Sequence, residues 1–307
     1  YFGTQTAGHF YCISPEGTLK WEYTGAGNMQ STSPAVSADG NIVYIIDKVG
    51  KCCAINAADG SEKWTATLAS PGASMLINGN VLIVAVQNTA PSVYFLDAAT
   101  GAEVAAQISI SNKPTDISGM AVSDDRKTAY LPLMGGGISS IDLATNTVKA
   151  TNIFATNNVY APVVASNGFV VAGSKDGCVY ALSADLSKVE WTFIHGGAKK
   201  NNVFNYSHMC ADDQGRVFVT SGQDQNLVYV FNAADGTVIS SERYGDHNAY
   251  KQMGGNNFID GFLFSGFIGN GTVNGALIGQ YFGGNRKFWG GPGGDICGSC
   301  CVQSPLL

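Results

Sequence analysis

Charge is scarce in this chain. Asp, Glu, Lys and Arg make up 13% of its 307 residues, about half the usual share, and the balance is negative, with a net charge of −6. No basic run exceeds the pair Lys199–Lys200. A nucleic-acid binder needs a basic stripe to displace counterions from phosphates, and an anionic membrane surface attracts polybasic segments; the sequence fits neither. Long hydrophobic runs are also missing. The longest, Val81 to Val86, is strand length, against roughly 18 residues for a helix that spans a bilayer. There is no G-x-S-x-G, H-E-x-x-H or P-loop. The chain begins with Tyr1 rather than Met, and the expectation is a mature or trimmed chain without its targeting segment.

Glycine is abundant, at 39 copies, and 45% of the residues are hydrophobic. Many glycines with few charges suit short strands joined by tight turns. One phrase recurs. "NAADG" occurs at Asn56–Gly60 and again at Asn232–Gly236, with a relative, "DAATG", at Asp97–Gly101. Around it lies a longer repeat, fullest at Ser31 to Leu68, with four apolar segments, "SPAV", "NIVYII", "KCCAIN" and "EKWTAT". Each is strand length, and turn residues separate them: Asp39-Gly40, Lys48 to Gly50 and Asp59-Gly60. Asp-Gly supplies the positive φ that tight hairpins require. The repeat is therefore read as a four-stranded antiparallel meander, strands A to D.

Trp21, Trp64, Trp191 and Trp289 all fall in strand D, at multiples of about 42 residues with one insertion after Phe264; Ala105, Ala150 and Ser240 take the remaining positions. Such repeats predict an all-β chain, a seven-bladed β-propeller of four-stranded antiparallel blades. The chain opens with strands B, C and D ("YFGTQ", "GHFYCIS", "GTLKWEYT") and closes with "QSPLL", residues 303–307, read as strand A of the same blade. Closure of this kind removes free sheet edges. The expected single domain, 1–307, has repeats at 1–27 plus 303–307, 28–69, 70–112, 113–156, 157–200, 201–245 and 246–302.

The pattern G-x-x-Y-A-[IL]-x-A-x-[DT]-G-x-x-x-W, seen best at Gly50 to Trp64 and Gly177 to Trp191, resembles the repeat of quinoprotein-type (PQQ-like) propellers. In the second copy Ser187 stands in for the turn glycine. The resemblance covers essentially the whole chain and implies a propeller. That family holds quinone-dependent dehydrogenases and also noncatalytic propellers, among them a lipoprotein that helps assemble outer-membrane β-barrels. The resemblance therefore implies a place outside the cytoplasm, in the periplasm or at the cell surface.

Candidate chemical groups are few. Strand-D tryptophans are either sugar platforms or packing residues, and their recurrence favours packing. Cys12 sits where other repeats have Ala54 and Ala181, and with Cys178 and Cys210 it is expected as a buried free thiol. Cys52 and Cys53 are neighbours in one strand, so their side chains should face opposite ways. "CGSCC", with Cys297, Cys300 and Cys301, reads as structural thiols or a local disulfide, with a redox pair or partial zinc site as alternatives. The resemblance adds an adjacent-cysteine disulfide beside a quinone, which Cys300–Cys301 could mimic. Asp39, Asp59 and Asp235 read as turn formers. His195, His208 and His247 lie near D-to-A connections; they read as polar loop residues, with metal binding as the alternative.

No catalytic residue, metal or cofactor is expected. The reading is a noncatalytic, monomeric, extracytoplasmic propeller that binds a protein or glycan. Its rivals are a degenerate quinoprotein dehydrogenase using PQQ and calcium, and a structural module of a longer protein. The C-to-D turns repeat, whereas the D-to-A connections differ and are longer, notably His195 to His208 and Tyr244 to Asn257. Recognition concentrates in such loops. The expected contact patch, near the channel mouth, is Lys200, Asn202, Asn205, Tyr206, His247, Tyr250 and Lys251.

Overall fold

The computed structural model describes every residue except 4–7, 15, 30–33, 70–71, 88–89, 116–118, 166, 199–202, 205–208, 222–226, 244–249, 260–261, 270–275 and 282–307. At 2, 72–73, 161, 250–259, 262–269 and 276–280 it describes the backbone alone. The chain forms two compact units that divide between Gly119 and Met120.

The first unit holds three antiparallel sheets. One is β1 (Phe2–Gly3), β2 (Phe10–Ile13) and β3 (Leu19–Tyr23). The next is β4 (Ala35–Val36), β5 (Ile42–Ile46), β6 (Lys51–Asn56) and β7 (Glu62–Thr67). The third is β8 (Gly72–Asn78), β9 (Val81–Val86), β10 (Ser92–Asp97) and β11 (Glu103–Ser109).

The second unit holds β12 (Ala121–Val122), β13 (Thr128–Leu133), β14 (Gly137–Asp142) and β15 (Thr147–Ile153); then β16 (Val159–Val164), β17 (Val170–Ser174), β18 (Cys178–Leu182) and β19 (Val189–Ile194). After these come β20 (Met209–Ala211), β21 (Arg216–Thr220), β22 (Leu227–Asn232) and β23 (Val238–Arg243), and finally β24 (Tyr250–Ile259), β25 (Phe262–Gly269) and β26 (Ala276–Tyr281). In every four-stranded sheet the strands follow chain order as A to D, each antiparallel to the next. Residues 303–307, the expected closing strand, lie outside the described residues.

The middle strands are buried along almost their whole length because their sheets are covered on both faces. Cys52 packs with Leu82 and Val84 of the next sheet, while Cys53 packs with Phe10 and Cys12 of the previous one. A strand covered on both sides reads as a continuous apolar run, not an alternation. Outer strands such as β11 and β15 are largely exposed.

The recurring phrase is explained by packing between sheets. Trp21 of β3 donates its indole N–H to the carbonyl of Ala57 (2.8 Å), Trp64 of β7 to Ala98 (3.0 Å) and Trp191 of β19 to Ala233 (3.0 Å). In each pair the acceptor belongs to the C-to-D turn of the following sheet. The indole then lies on the turn glycine. A methyl group at Gly60, Gly101 or Gly236 would stand 2.8, 2.5 or 2.6 Å from the six-membered ring of Trp21, Trp64 or Trp191. All three glycines also have positive φ, 77°, 75° and 74°. Glycine is demanded twice at these sites, by the backbone and by the ring above it.

At two of the positions where strand D lacks tryptophan, the left-handed turn residue is no longer glycine. One repeat after Ala105 the left-handed position is Asn146 (φ 54°), and after Ala150 it is Leu186 (φ 62°). Leu186 is buried, so a large turn residue accompanies a small strand residue, the reverse of Trp with Gly. The turn carbonyl keeps a donor: Tyr130 of β13 reaches Ala184 O at 2.8 Å, as the equivalent Tyr44 of β5 reaches Ala98 O at 3.1 Å. Burial pushes both phenols up to about 12.

Three details differ from the sequence reading. Leu186, not Ser187, occupies the turn's left-handed position, because this turn is one residue shorter: Leu186 N bonds Ser183 O, whereas Gly60 N bonds Asn56 O. Cys210 is only partly buried, although Cys12, Cys52, Cys53 and Cys178 are buried and all five are free thiols. The segment Tyr250–Asn257 is part of a ten-residue strand, not a connection. Its Gly254–Gly255 pair sits at an irregularity between Met253 and Asn256 where the strand pairs with β25; glycine inside a strand often marks such a bulge.

Candidate binding face

Each four-stranded sheet has two unlike ends. The A-to-B and C-to-D turns lie at one. The B-to-C turn and the D-to-A connection lie at the other, stitched together by the main chain. Leu68 N bonds Gly50 O (2.8 Å), Phe154 N bonds Gly136 O (3.0 Å) and His195 N bonds Gly177 O (3.1 Å). Two connections also reach the sheet they enter: Lys48 N bonds Asn28 O and Lys175 N bonds Asn158 O, both at 2.9 Å.

Two buried carboxylates reinforce this stitching. Asp47 accepts from the N–H groups of Val49 and Lys51 through Oδ1 (2.9 and 2.8 Å) and from Gly27 through Oδ2 (2.8 Å). Asp176 accepts from Thr156 N and Thr156 Oγ1 (both 3.0 Å), Cys178 N (3.2 Å) and the Tyr180 hydroxyl (2.9 Å). Each is 1% exposed, so these oxygens serve the backbone and are closed to an outside ligand. Such sets of bonds offset the cost of burying a charge. The connection from β3 to β4 and that from β15 to β16 are thus held to the rigid sheet.

The connection from β19 to β20 is the long one. It starts with a 3₁₀ turn, His195–Gly197, in which Gly196 and Gly197 take positive φ of 64° and 75° with open space where a side chain would be. At its base His195 Nδ1 lies 2.6 Å from the Tyr229 hydroxyl. Further on, Val203 and Phe204 are buried in the core between β16–β19 and β20–β23. Phe204 also meets the His195 ring edge to face, with centroids 6.4 Å apart. The connection is therefore anchored on both sides of the stretch 199–202.

Acids outnumber cations at one end. In the described A-to-B and C-to-D turns stand Glu16, Asp39, Asp59, Asp124, Asp125, Asp185, Asp213 and Asp235, together with Arg126, Lys127 and Lys188. Many of the acids bond their own turns, which holds them ionised. The Ser37 hydroxyl and the Asn41 N–H lower Asp39 to about 2, and the Ser183 hydroxyl and the Ser187 N–H do the same for Asp185. Asp59 and Asp235 are lowered by the N–H groups of Ser61 and Thr237. The turn-forming role expected of Asp39, Asp59 and Asp235 is their observed role. At the other end, the described turns and connections carry Lys48, Lys113 and Lys175, with the buried Asp47 and Asp176 as their acids.

Of the sequence-selected patch, Lys200, Asn202, Asn205, Tyr206 and His247 lie outside the described residues, as do His208, Cys297, Cys300 and Cys301. Tyr250 and Lys251 open strand β24. The sequence reading passed over Lys48, Lys113 and Lys175, since isolated lysines form no cluster in one dimension; only the turns bring them to one end of their sheets. Among the described residues no group of three His, Cys, Asp or Glu side chains could hold a metal ion, and no helix is long and apolar enough to cross a membrane.

Four-stranded antiparallel meanders packed in sequence through their outer-strand tryptophans make this a β-propeller. The β-propeller domain of Cps50 (Swd1) from Myceliophthora thermophila superposes with a TM-score of 0.63 at 12% identity, covering 86% of this chain and 88% of that one. BamB from Moraxella catarrhalis gives a TM-score of 0.56 at 18% identity, over 85% and 89%. The family model described as outer membrane protein assembly factor BamB matches residues 6–242, and the chain belongs to that family. Outer membrane protein assembly factor BamB of Moranella endobia (strain PCIT) is 27% identical over 210 residues, 68% of this chain and 45% of that protein. The chain thus aligns with less than half the length of this relative.

Proposed function

We propose that the chain is a noncatalytic, extracytoplasmic scaffold that binds a protein partner during assembly of outer-membrane proteins. The observation that carries this reading is the family match over residues 6–242, with the like-named relative beside it. The description of that family favours a protein over a glycan as partner. The chain acts as a monomer, a single ring of seven blades in which residues 303–307 complete the blade of β1–β3. Its partner docks at the end formed by B-to-C turns and D-to-A connections, which includes Lys200, Asn202, Asn205, Tyr206, His247, Tyr250 and Lys251. Anchored connections support this placement: a loop tied down at both ends loses less entropy on binding.

The test is complementation. The chain, exported with a leader into a bacterium lacking its own BamB, should restore the level of outer-membrane proteins. The Tyr206→Ala, Tyr250→Ala, His247→Ala variant should keep its melting temperature and lose the restoration. A folded, exported chain that restores nothing contradicts the reading. So does dye-linked alcohol oxidation on addition of PQQ and calcium.

A further inference from the structure

We propose that Asn78 is a site of spontaneous deamidation in the folded chain, a covalent modification with water as the co-reactant. The proposal does not rest on the proposed function. Strands β8 and β9 form a hairpin in which Asn78 pairs with Val81, so Gly79 and Asn80 are its turn residues, and both are exposed. Gly79 takes φ 60°, with nothing within 4 Å of where a Cβ would stand; glycine is favoured at such a turn position and offers no Cβ to hinder attack. Deamidation starts at the amide nitrogen that follows the asparagine, which must shed its proton and reach the side-chain carbonyl carbon. In the other described Asn–Gly and Asp–Gly pairs that nitrogen is engaged. Gly40 N bonds Ser37 O (2.9 Å), Gly60 N bonds Asn56 O (2.9 Å), Gly168 N bonds Ala165 O (2.8 Å), Gly177 N bonds Ser174 O (3.1 Å) and Gly236 N bonds Asn232 O (2.9 Å). The Gly79 N–H makes no hydrogen bond among the described residues.

Asn167–Gly168 is the same dipeptide in the opposite state. Asn167 Nδ2 donates to Ala233 O (3.1 Å) and its Oδ1 accepts from Phe169 N (3.1 Å), so the side-chain amide and the attacking nitrogen are all held. At Asn78 the Gly79 nitrogen gives its proton to hydroxide and bonds to Cγ; the Cγ–Nδ2 bond breaks, and Nδ2 takes a proton from water and leaves as ammonia. Water then opens the cyclic imide at either carbonyl, leaving aspartate or isoaspartate and one further negative charge. In isoaspartate the main chain runs through the former side chain and is one atom longer. That change falls beside Asn80, whose carbonyl accepts from Ala98 N at 2.8 Å. Ala98 O in turn accepts from Trp64 Nε1 (3.0 Å) and from the Tyr44 hydroxyl (3.1 Å). The modification therefore loosens the seat by which sheet β4–β7 docks on sheet β8–β11.

The experiment incubates the full chain in warm, mildly alkaline buffer, folded and in parallel in urea, and follows each site by peptide mapping with mass spectrometry. Dividing each folded-state rate by its rate in urea removes the effect of neighbouring sequence. The quotient for Asn78 should exceed that for Asn167 at least about tenfold, because three hydrogen bonds must open first at Asn167–Gly168. Mapping keeps these sites apart from Asn270 and Asn274, which also precede glycine and lie outside the described residues. Hydrogen exchange at Ala98 should accelerate in the aged parent and stay unchanged in Asn78→Gln aged alike. A quotient for Asn78 equal to or below that for Asn167, or an Asn78 that reacts only in urea, overturns the proposal. Unchanged protection at Ala98 in the aged parent overturns the link to the Trp64 seat.

Discussion

Replacing Gly101 by alanine should destabilise the protein far more than replacing Gly40, although both glycines sit in hairpin turns of the first unit with nearly equal φ, 75° and 73°. Each substitution puts an L side chain in the left-handed region, at about 1–2 kcal/mol. At Gly40 nothing lies within 4 Å of the new methyl group, so that cost stands alone. At Gly101 the methyl group meets Trp64 Cε3 at 2.5 Å. The indole must retreat, straining a packed interface at about 1–3 kcal/mol and loosening its bond to Ala98 O, worth about 1 kcal/mol. The expected totals are about 1–2 kcal/mol for Gly40→Ala and about 3–6 kcal/mol for Gly101→Ala. Urea unfolding followed by both fluorescence and circular dichroism would measure the difference. Fluorescence of Gly101→Ala should also shift to the red before unfolding. If the two variants share one midpoint, the tryptophan does not hold the turn and the packing account fails.

Other outcomes follow from the same structure. Leu186→Gly should destabilise by a net of about 1–3 kcal/mol in the same urea assay, since losing a buried leucine outweighs about 1 kcal/mol of backbone relief; a stabilised variant would contradict this. Asp47→Ala should cost about 3 kcal/mol by leaving buried N–H groups unpaired, and hydrogen exchange at Gly27 should accelerate; unchanged protection there would refute the stitching. Native thiol labelling should find Cys210 reacting before Cys12, Cys52, Cys53 and Cys178, with burial pushing the Cys52 thiol up and away from its reactive thiolate. Asp39 and Asp185 have depressed values near 2, so their contribution is present above the unfolded carboxylate range near pH 4 and is lost as pH falls through about 2. The melting-temperature gap between the parent and Asp39→Asn should close across that window, and a constant gap would argue against it.

The blades were legible in the sequence because their demands repeat. A turn with positive φ and a tryptophan that needs a bare glycine beneath it recur at three docking sites, so Asp59-Gly60, Asp235-Gly236 and the strand-D tryptophans stand out by period alone. Compensated positions were harder to read. Leu186 does the work of a glycine because Ala150 has left room for it, a pairing visible only across two sheets. Tyr250–Asn257 looked like a loop because strands are recognised by β-branched and aromatic residues, and Gly254–Gly255 hid one. The binding face was least legible. Its connections do not repeat, so period says nothing about them, and Lys48, Lys113 and Lys175 come to one kind of sheet end through folding rather than spacing.

Site-specific photocrosslinking tests most directly whether that face meets the partner. A photoreactive phenylalanine analogue would replace Val49, which is 74% exposed in a B-to-C turn, or Lys175; in parallel chains it would replace Ala58 or Asp185 in C-to-D turns. The chains would be irradiated in the complemented bacterium and their adducts identified by mass spectrometry. The account predicts adducts with an outer-membrane assembly protein from Val49 and Lys175 and none from Ala58 and Asp185. Adducts from the C-to-D turns alone, or from neither end in cells where complementation succeeds, would contradict it.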